Sequence, residues 1–303
     1  MSLQLSALSL FLRLVNKPGL ARASDLSALR ARLERIAPLV FRAPPGAVFA
    51  EEAGPPHLLW ARVGETAPGR AILYLHGGGF VMGSPRTHRH LAAALAGAAG
   101  AAAALPFYRL APEHPHPAAL DDAQAAYAAL SGRGLRVALA GDSAGGGLAF
   151  ALVAAIRAAG LPDPVCVVGF SPWCDMTMRQ PSLTRNARAE AMLPISRMAE
   201  VIAMRMGQGD PRDPAASPVF ARHDRPPPPA LILASRAEAL EDDARAMAAV
   251  WRDAGGDARL ELSPDAPHAW PVFVGLIPEA DAAVARAGAF IAENFTRTEA
   301  AAP

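Results

Sequence analysis

The chain has 303 residues, 52% of them hydrophobic, and a formal net charge of +1. That length accommodates one large α/β domain or two small ones with an ample core. The near-neutral balance argues against a nucleic-acid partner, which shows as a basic excess or stripe. No apolar run approaches the roughly 20 residues of a membrane span.

Near the start, Leu3, Leu5, Leu8, Leu10, Leu12 and Val15 lie close to helical spacing, and Lys17-Pro18-Gly19 is expected to end the run. The segment lacks a basic n-region and a clear small-x-small cleavage site, so it is not read as a signal peptide. A second helix is capped by Ser24 or Asp25 and presents Leu26, Leu29, Leu33 and Ile36 on one face. These two helices read as an accessory layer, residues 1–45. Few basic residues accompany them, which disfavours a membrane-surface role.

After Pro44-Pro45-Gly46 the period changes. Val48 to Ala53 and Leu58 to Val63 read as a strand pair, and Ala71 to Leu75 as a strand buried on both faces. A helix from about Thr87 to Ala99, a strand Ala101–Phe107 and a helix from about Pro117 to Leu130 follow. The apolar run Leu135 to Ala140 leads into Gly141-Asp142-Ser143-Ala144-Gly145-Gly146-Gly147 and an Ala-rich helix, and Val165 to Phe170 is another buried strand. From Pro172 to Val219 the alternation stops, except for a helical stretch Ile195–Met206, so residues 172–219 read as an insertion. A strand Leu231–Ala234, a helix Asp242–Ala254, a strand Ala258–Leu262 and a helix Pro278–Phe295 complete the pattern. Thr296 to Pro303 is expected to fray. Alternating strands and helices predict an α/β fold with a mostly parallel, doubly wound sheet over residues 46–171 and 220–298. Chemistry in such sheets sits at the carboxyl ends of the strands.

Gly141-x-Ser143-x-Gly145 between strand and helix is a candidate nucleophile elbow, because a serine at so sharp a turn is pushed out of both elements. A glycine-rich turn with an incidental serine is the plainer alternative. Gly-x-Gly-x-x-Gly is absent and no Gly-Lys-Ser/Thr follows, so neither nucleotide-binding pattern applies. A serine hydroxyl needs a base, an orienting carboxylate and oxyanion donors. Among eight histidines, His268 in Pro267-His268-Ala269-Trp270 falls where a base would reach the elbow. His88, His90 and His223 read as exposed, and His76 as a brace for its loop. In His76-Gly77-Gly78-Gly79, successive backbone N–H groups can face one cavity together with that of Ala144. Glu238 stands between Ser143 and His268, giving the chain order Ser, acid, His. His88 and His90 are two apart on one helix and point to different faces. No His-Glu-x-x-His or cysteine pair at ligand spacing exists, so no metal is expected. Cys166 sits in a strand-like run and reads as core; two cysteines make no disulfide framework and fit a reducing cytoplasm.

His76-Gly-Gly-Gly-Phe80, Tyr108-Arg-Leu-Ala-Pro-Glu113, Pro117-Ala-Ala-Leu-Asp-Asp122 and Gly141-Asp-Ser-Ala-Gly-Gly146 together resemble the signatures of the bacterial hormone-sensitive-lipase-like esterases, in the α/β-hydrolase superfamily. Ser171-Pro-Trp173 and Ala216-Ser-Pro218 are similar to further segments of that family. The resemblance runs from about Leu58 to Phe295. It implies an eight-stranded sheet under a helical cap built from the N-terminal helices and the 172–219 insertion. It also implies carboxylesterase activity on short acyl chains, a small-molecule ester as substrate and no cofactor. Its oxyanion donors would be Gly78, Gly79 and Ala144, with His76, Gly77 and Asp142 in support. Members often form homodimers, which no stretch here demonstrates. One departure stands out. The family's Asp-Pro-Leu-x-x-Asp is Ala237-Glu238-Ala239-Leu240-Glu241-Asp242-Asp243 here, which puts a glutamate in the acid position. Glu238 or Asp242 could serve. Asp242 and Asp243 are otherwise early helix residues that meet the positive end of the dipole, and Glu241 could point to solvent. An amidase or arylacetamide-type hydrolase with the same machinery, or a non-catalytic small-molecule binder, are the alternatives.

Overall fold

Residues 1–300 are described in a computed structural model. The N-terminal layer comprises α1 (Leu3–Phe11), α2 (Lys17–Arg22) and α3 (Leu26–Val40). Then come β1 (Ala47–Glu52), β2 (Leu58–Val63), β3 (Arg70–Leu75), α4 (Pro85–Ala99), β4 (Ala102–Pro106), α5 (Ala118–Gly132), β5 (Arg136–Asp142), α6 (Ala144–Ala158) and β6 (Val167–Phe170). Between β6 and β7 lie α7 (Ser182–Arg185) and α8 (Ile195–Met206). The chain then returns through β7 (Ala230–Ser235), α9 (Glu241–Asp253), β8 (Ala258–Ser263) and α10 (Pro278–Ala300).

The eight strands form one sheet in the order β1-β2-β4-β3-β5-β6-β7-β8. β2 runs antiparallel to both its neighbours and all other pairings are parallel. Alternate residues of the central strands face opposite layers, as the period of two requires. Leu73, Leu139 and Ile232 join the core beneath α5, α6 and α9. Ile72, Ala138 and Leu231 join the one shared with α4 and α10. No helix among the described residues is long and apolar enough to cross a membrane.

Two helix boundaries differ from the expectation. Lys17-Pro18-Gly19 does not stop the first helix. A π-helical turn, Leu12–Asn16, intervenes, Lys17 N–H donates to Leu12 O, and α2 continues with Pro18 in its first turn. A proline lacks its N–H, and a wider turn ahead of it accommodates the missing bond. At the other end, Thr296–Ala300 are helical rather than frayed, because Glu299 pairs with Arg70 at 2.6 Å and with Arg136. Residues 301–303 of the expected tail lie outside the described residues.

α4 and α10 approach closely at Gly288, where an added Cβ would lie 2.3 Å from the Ala98 Cβ. Glycine to alanine inside a helix ordinarily stabilises by up to about 1 kcal/mol. Overpacking a tight contact costs roughly 1–3 kcal/mol, so here it wins. Gly288→Ala is expected to lower the thermal midpoint by a few degrees, and a rise in a melting scan would show that the two helices can separate cheaply.

Candidate active site

The four loops at the carboxyl ends of β3, β5, β7 and β8 bring the chemistry together. Ser143 follows β5 with φ 51° and ψ −121°, a sparsely populated conformation for a residue with a Cβ. The bend is held by Ser143 N–H to Phe170 O at 2.8 Å and Trp173 N–H to Ser143 O at 2.9 Å. It is also tight: an added Cβ at Gly145 would lie 2.0 Å from Leu75 O. That close approach is why the turn needs its glycines.

His268 is buried in the loop after β8. Its Nε2 lies 2.9 Å from Ser143 Oγ and its Nδ1 lies 2.7 Å from Glu238 Oε2. Glu238 is fully buried after β7, and its other oxygen accepts the Ser235 N–H at 2.8 Å. Burial by itself would lower the His268 pKa. The hydrogen bond and charge of Glu238, with the charges of Glu190 and Asp142 behind it, outweigh burial and raise it above the ordinary histidine value. Ala269 N–H donates to Ser171 Oγ at 3.0 Å, which pins the histidine loop to the end of β6.

The glycine run at the end of β3 packs against the elbow turn. Gly77 N–H donates to Asp142 Oδ1 at 3.0 Å. Gly78 has φ +116°, and a Cβ there would lie 2.1 Å from Met82 O. Among the described residues the amides of Gly78, Gly79 and Ala144 donate to no backbone carbonyl. Asp142 also accepts from Tyr74 OH at 2.7 Å and lies 3.6 Å from His88 Nε2. Burial pushes the Asp142 carboxyl up, but the His88 charge and these hydrogen bonds bring it below its ordinary range. His76 stacks on Tyr108 at 4.2 Å, and its Nδ1 sits 2.8 Å from Gly77 O. Burial and the neighbouring His88 charge push the His76 pKa down to about 3. A ring that stays neutral fits a brace, not a base.

Several residues lie elsewhere than expected. His88 and His90 are buried, not exposed, while His223 is half-buried. α4 is packed against the sheet, α3 and α10 at once, so both of its faces are covered. His88 turns to Asp142, and His90 stacks on Phe41 at 4.5 Å with Nε2 2.7 Å from Val272 O. Glu241 does not point to solvent: it is buried and meets Arg185, Arg245 and Asn186. Asp242 takes Arg185 at 2.7 Å and the Ser182 N–H at 2.8 Å. Asp243 is buried and accepts the Cys174 and Asp175 N–H groups at 2.9 and 2.8 Å. All three stand in the first turn of α9, yet each has a specific partner beyond the helix dipole.

Two residues between β6 and β7 that brace the Glu238 backbone were not anticipated. Glu190 is buried and accepts the Ala239 N–H at 2.8 Å, and Asn186 Nδ2 donates to Glu238 O at 2.8 Å. Both lie in the aperiodic segment, where no spacing marks them. Among the described residues no group of His, Cys, Asp and Glu is arranged to hold a metal. A surface groove lined by Val48, Glu52, Trp60, Arg62 and Arg133 includes none of the active-site residues above.

Known proteins carry the same framework. A family model described by the alpha/beta hydrolase fold matches residues 72–272. The chain is 42% identical to an acetyl-hydrolase of Streptomyces hygroscopicus over 226 residues, 74% of this chain and 75% of that protein. It matches a crystal structure of EstE5 soaked with p-nitrophenyl butyrate with a TM-score of 0.91 and 36% identity, covering 98% of this chain and 100% of that one. An esterase from the bacterial hormone-sensitive lipase family matches with a TM-score of 0.91 and 34% identity, over 97% and 99% of the two chains. With that likeness spanning nearly the whole chain, and with the sheet order and the loops at its carboxyl edge as described, the chain belongs to the α/β-hydrolase fold family and, within it, to the bacterial hormone-sensitive-lipase-like esterases.

Proposed function

We propose that this carboxylic ester hydrolase works through Ser143, His268 and Glu238 on esters of short acyl chains. The observation that carries the reading is the hydrogen-bonded line from Glu238 Oε2 through both ring nitrogens of His268 to Ser143 Oγ. A carboxylate only accepts, so the Nδ1 of the neutral ring carries the proton and Nε2 is left with a lone pair facing the serine. Ser143 Oγ attacks the ester carbonyl carbon and its proton passes to Nε2. Gly78, Gly79 and Ala144 donate N–H groups to the tetrahedral oxyanion, each such donor being worth about 10²–10³ in rate. The imidazolium returns its proton to the departing alcohol oxygen, which leaves an acyl-enzyme. Water then attacks with His268 as base again, and the acid is released.

The short-chain preference is supported by the acetyl-hydrolase relative and by the EstE5 structure soaked with a butyrate ester. A series of p-nitrophenyl esters from acetate to dodecanoate tests it, with kcat/KM expected to peak at the short end. Anilides of the same acids in that panel separate an esterase from an amidase, and hydrolysis of the anilides at comparable rates would overturn the ester reading.

The same proposal makes residues 1–45 and 172–219 a cap over the site. Arg13 Nη2 donates to Ala189 O at 2.8 Å, Lys17 Nζ to Glu190 O at 2.8 Å, and Arg197 Nη1 to Ala21 O and Ala23 O. On α8, Val201 Cγ1 would stand 3.1 Å from a Cβ at Gly79, so the insertion reaches the glycine run. Deleting Met1 to Asn16 exposes the packing partners of two buried leucines, Leu5 and Leu12, roughly 1.5–3 kcal/mol each. The truncated chain is expected to fold with a lowered melting point and a shifted chain-length preference. An unchanged ester profile in a folded truncation would remove the N-terminal helices from the cap.

A further inference from the structure

Ten of the twelve exposed large hydrophobic side chains among the described residues fall within the first 48 residues. In α1 and the turn after it they form a stripe. Leu3, Leu10, Phe11 and Leu14 are 86%, 58%, 54% and 65% exposed. With the exposed Ala7 they stand at i, i+4, i+7, i+8 and i+11, which is one side of a helix. Leu5 and Leu12, on the opposite side, are the buried ones. An apolar stripe turned to water marks a surface that meets something else. Charge is distributed as unevenly. Residues 1–46 hold seven Lys and Arg against Asp25 and Glu34, a formal +5, while the other 257 residues hold 22 basic against 26 acidic, a formal −4. Of the seven, Arg30 alone forms an ion pair among the described residues, with Glu113 at 2.8 Å. Arg13 and Lys17 donate to the carbonyls of Ala189 and Glu190, and Arg22, Arg32, Arg35 and Arg42 are exposed. Taken helix by helix the basic residues are few; over the whole layer they are in clear excess.

We propose that the first 46 residues form a docking surface for an anionic phospholipid bilayer. The stripe from Leu3 to Leu14 lies in the interface, and the unpaired basic residues of the layer draw it to negatively charged headgroups. Apolar surface and positive charge concentrated on one short segment fit that partner, which offers hydrocarbon below a negative surface. A second copy of the chain fits less well. A two-fold contact uses the same patch on both subunits, so it would set one +5 layer against another. α1 has nine residues and rises roughly 14 Å, about half the hydrocarbon core of a bilayer. It can therefore lie in the surface but not cross it. Adsorption does not depend on the ester reaction, so Ser143→Ala is expected to bind as the wild type does, and failure of either reading leaves the other standing.

The test is co-sedimentation of the full chain with vesicles of phosphatidylcholine alone or of phosphatidylcholine with roughly a third phosphatidylglycerol. The wild type is expected to bind the anionic vesicles at least about tenfold more tightly than the neutral ones. In roughly 0.5 M salt, where the Debye length is about 4 Å, most of that preference should vanish. Leu10→Ser/Leu14→Ser changes only exposed side chains, so a melting scan should show it folded, and its affinity for the anionic vesicles should fall at least about tenfold. Arg32→Glu/Arg35→Glu takes the layer from +5 to +1 and should lose the preference for anionic vesicles while keeping the fold. Equal binding to both vesicle types, binding to neither, or an unchanged affinity in either variant overturns the proposal. A vesicle-free protein that light scattering finds dimeric, and that Leu10→Ser/Leu14→Ser makes monomeric, gives the stripe to a second copy and overturns it as well.

Discussion

Ser143→Ala is expected to abolish ester hydrolysis, with kcat falling by roughly 10⁵–10⁶, the scale seen when the nucleophile of a serine triad is removed. What survives should come from the oxyanion donors and from binding, which do not need the hydroxyl. The fold should be nearly indifferent. Ser143 is only half-buried and its hydroxyl meets one protein partner, His268 Nε2. A neutral hydrogen bond contributes about 1 kcal/mol. The left-handed φ of 51° is no harder for alanine than for serine, so a melting scan should move by a few degrees at most. A sulfonyl fluoride should label the wild type at this one serine and leave the alanine variant unlabelled. If mass spectrometry finds the label on another serine, or the variant keeps more than about a hundredth of its rate, the nucleophile has been misassigned.

How much of this site could be read in advance differs from residue to residue, for physical reasons. Ser143 is legible because a sharp strand-to-helix turn needs glycines on both sides, and glycines leave a local mark: Gly141 and Gly145 flank it, each too close to neighbouring backbone to bear a Cβ. His268 is legible through chain order and its place in the loop after the last strand, whereas His90 stands on a helix. The mostly parallel framework is legible because its central strands, buried on both faces, are continuously apolar. Other features depend on contacts that sequence does not record. Whether His88 is exposed depends on what covers α4, and three elements do. Glu190 reaches Ala239 across 49 residues from a segment without periodicity. Four neighbouring carboxylates, Glu238, Glu241, Asp242 and Asp243, look alike in the sequence; in the fold Glu238 meets His268, Glu241 and Asp242 share Arg185, and Asp243 holds two backbone amides. That is why the choice between Glu238 and Asp242 could not be made from spacing alone.

Glu238→Gln is the sharpest test of the site, because it changes one atom and its consequence follows from the surrounding donors. Glu238 Oε1 accepts the Ser235 N–H at 2.8 Å, and Oε2 faces His268 Nδ1 at 2.7 Å. A glutamine has one acceptor and one donor to distribute. If its NH₂ faced Ser235, two donors would meet in a fully buried place, which costs about 1–3 kcal/mol. The amide therefore orients with its oxygen on Ser235 and its NH₂ toward His268. Nδ1 must then be the acceptor, the ring proton moves to Nε2, and the lone pair that should receive the serine proton is lost. In the serine-protease template the equivalent loss of an acid costs about 10⁴ in kcat, and a fall of roughly 10³–10⁴ is expected here with KM little changed. The pH profile supplies a second readout. His268 is raised above the ordinary histidine value and must be neutral to act, so wild-type kcat/KM should fall away as pH drops through a midpoint above about 6.5. Without the carboxylate the raising contribution disappears and burial lowers the pKa, so the acid limb of the residual activity should shift to lower pH. Asp242→Asn weakens only the clamp to Arg185 and Ser182 and should cost less than about tenfold in kcat. Asp243→Asn disturbs a buried carboxylate that holds the Cys174 and Asp175 amides, so its effect should fall on the melting temperature. Should Asp242→Asn carry the large kinetic loss while Glu238→Gln keeps near wild-type kcat and an unshifted acid limb, the acid of this enzyme is Asp242, and the hydrogen bond from His268 to Glu238 is structural only.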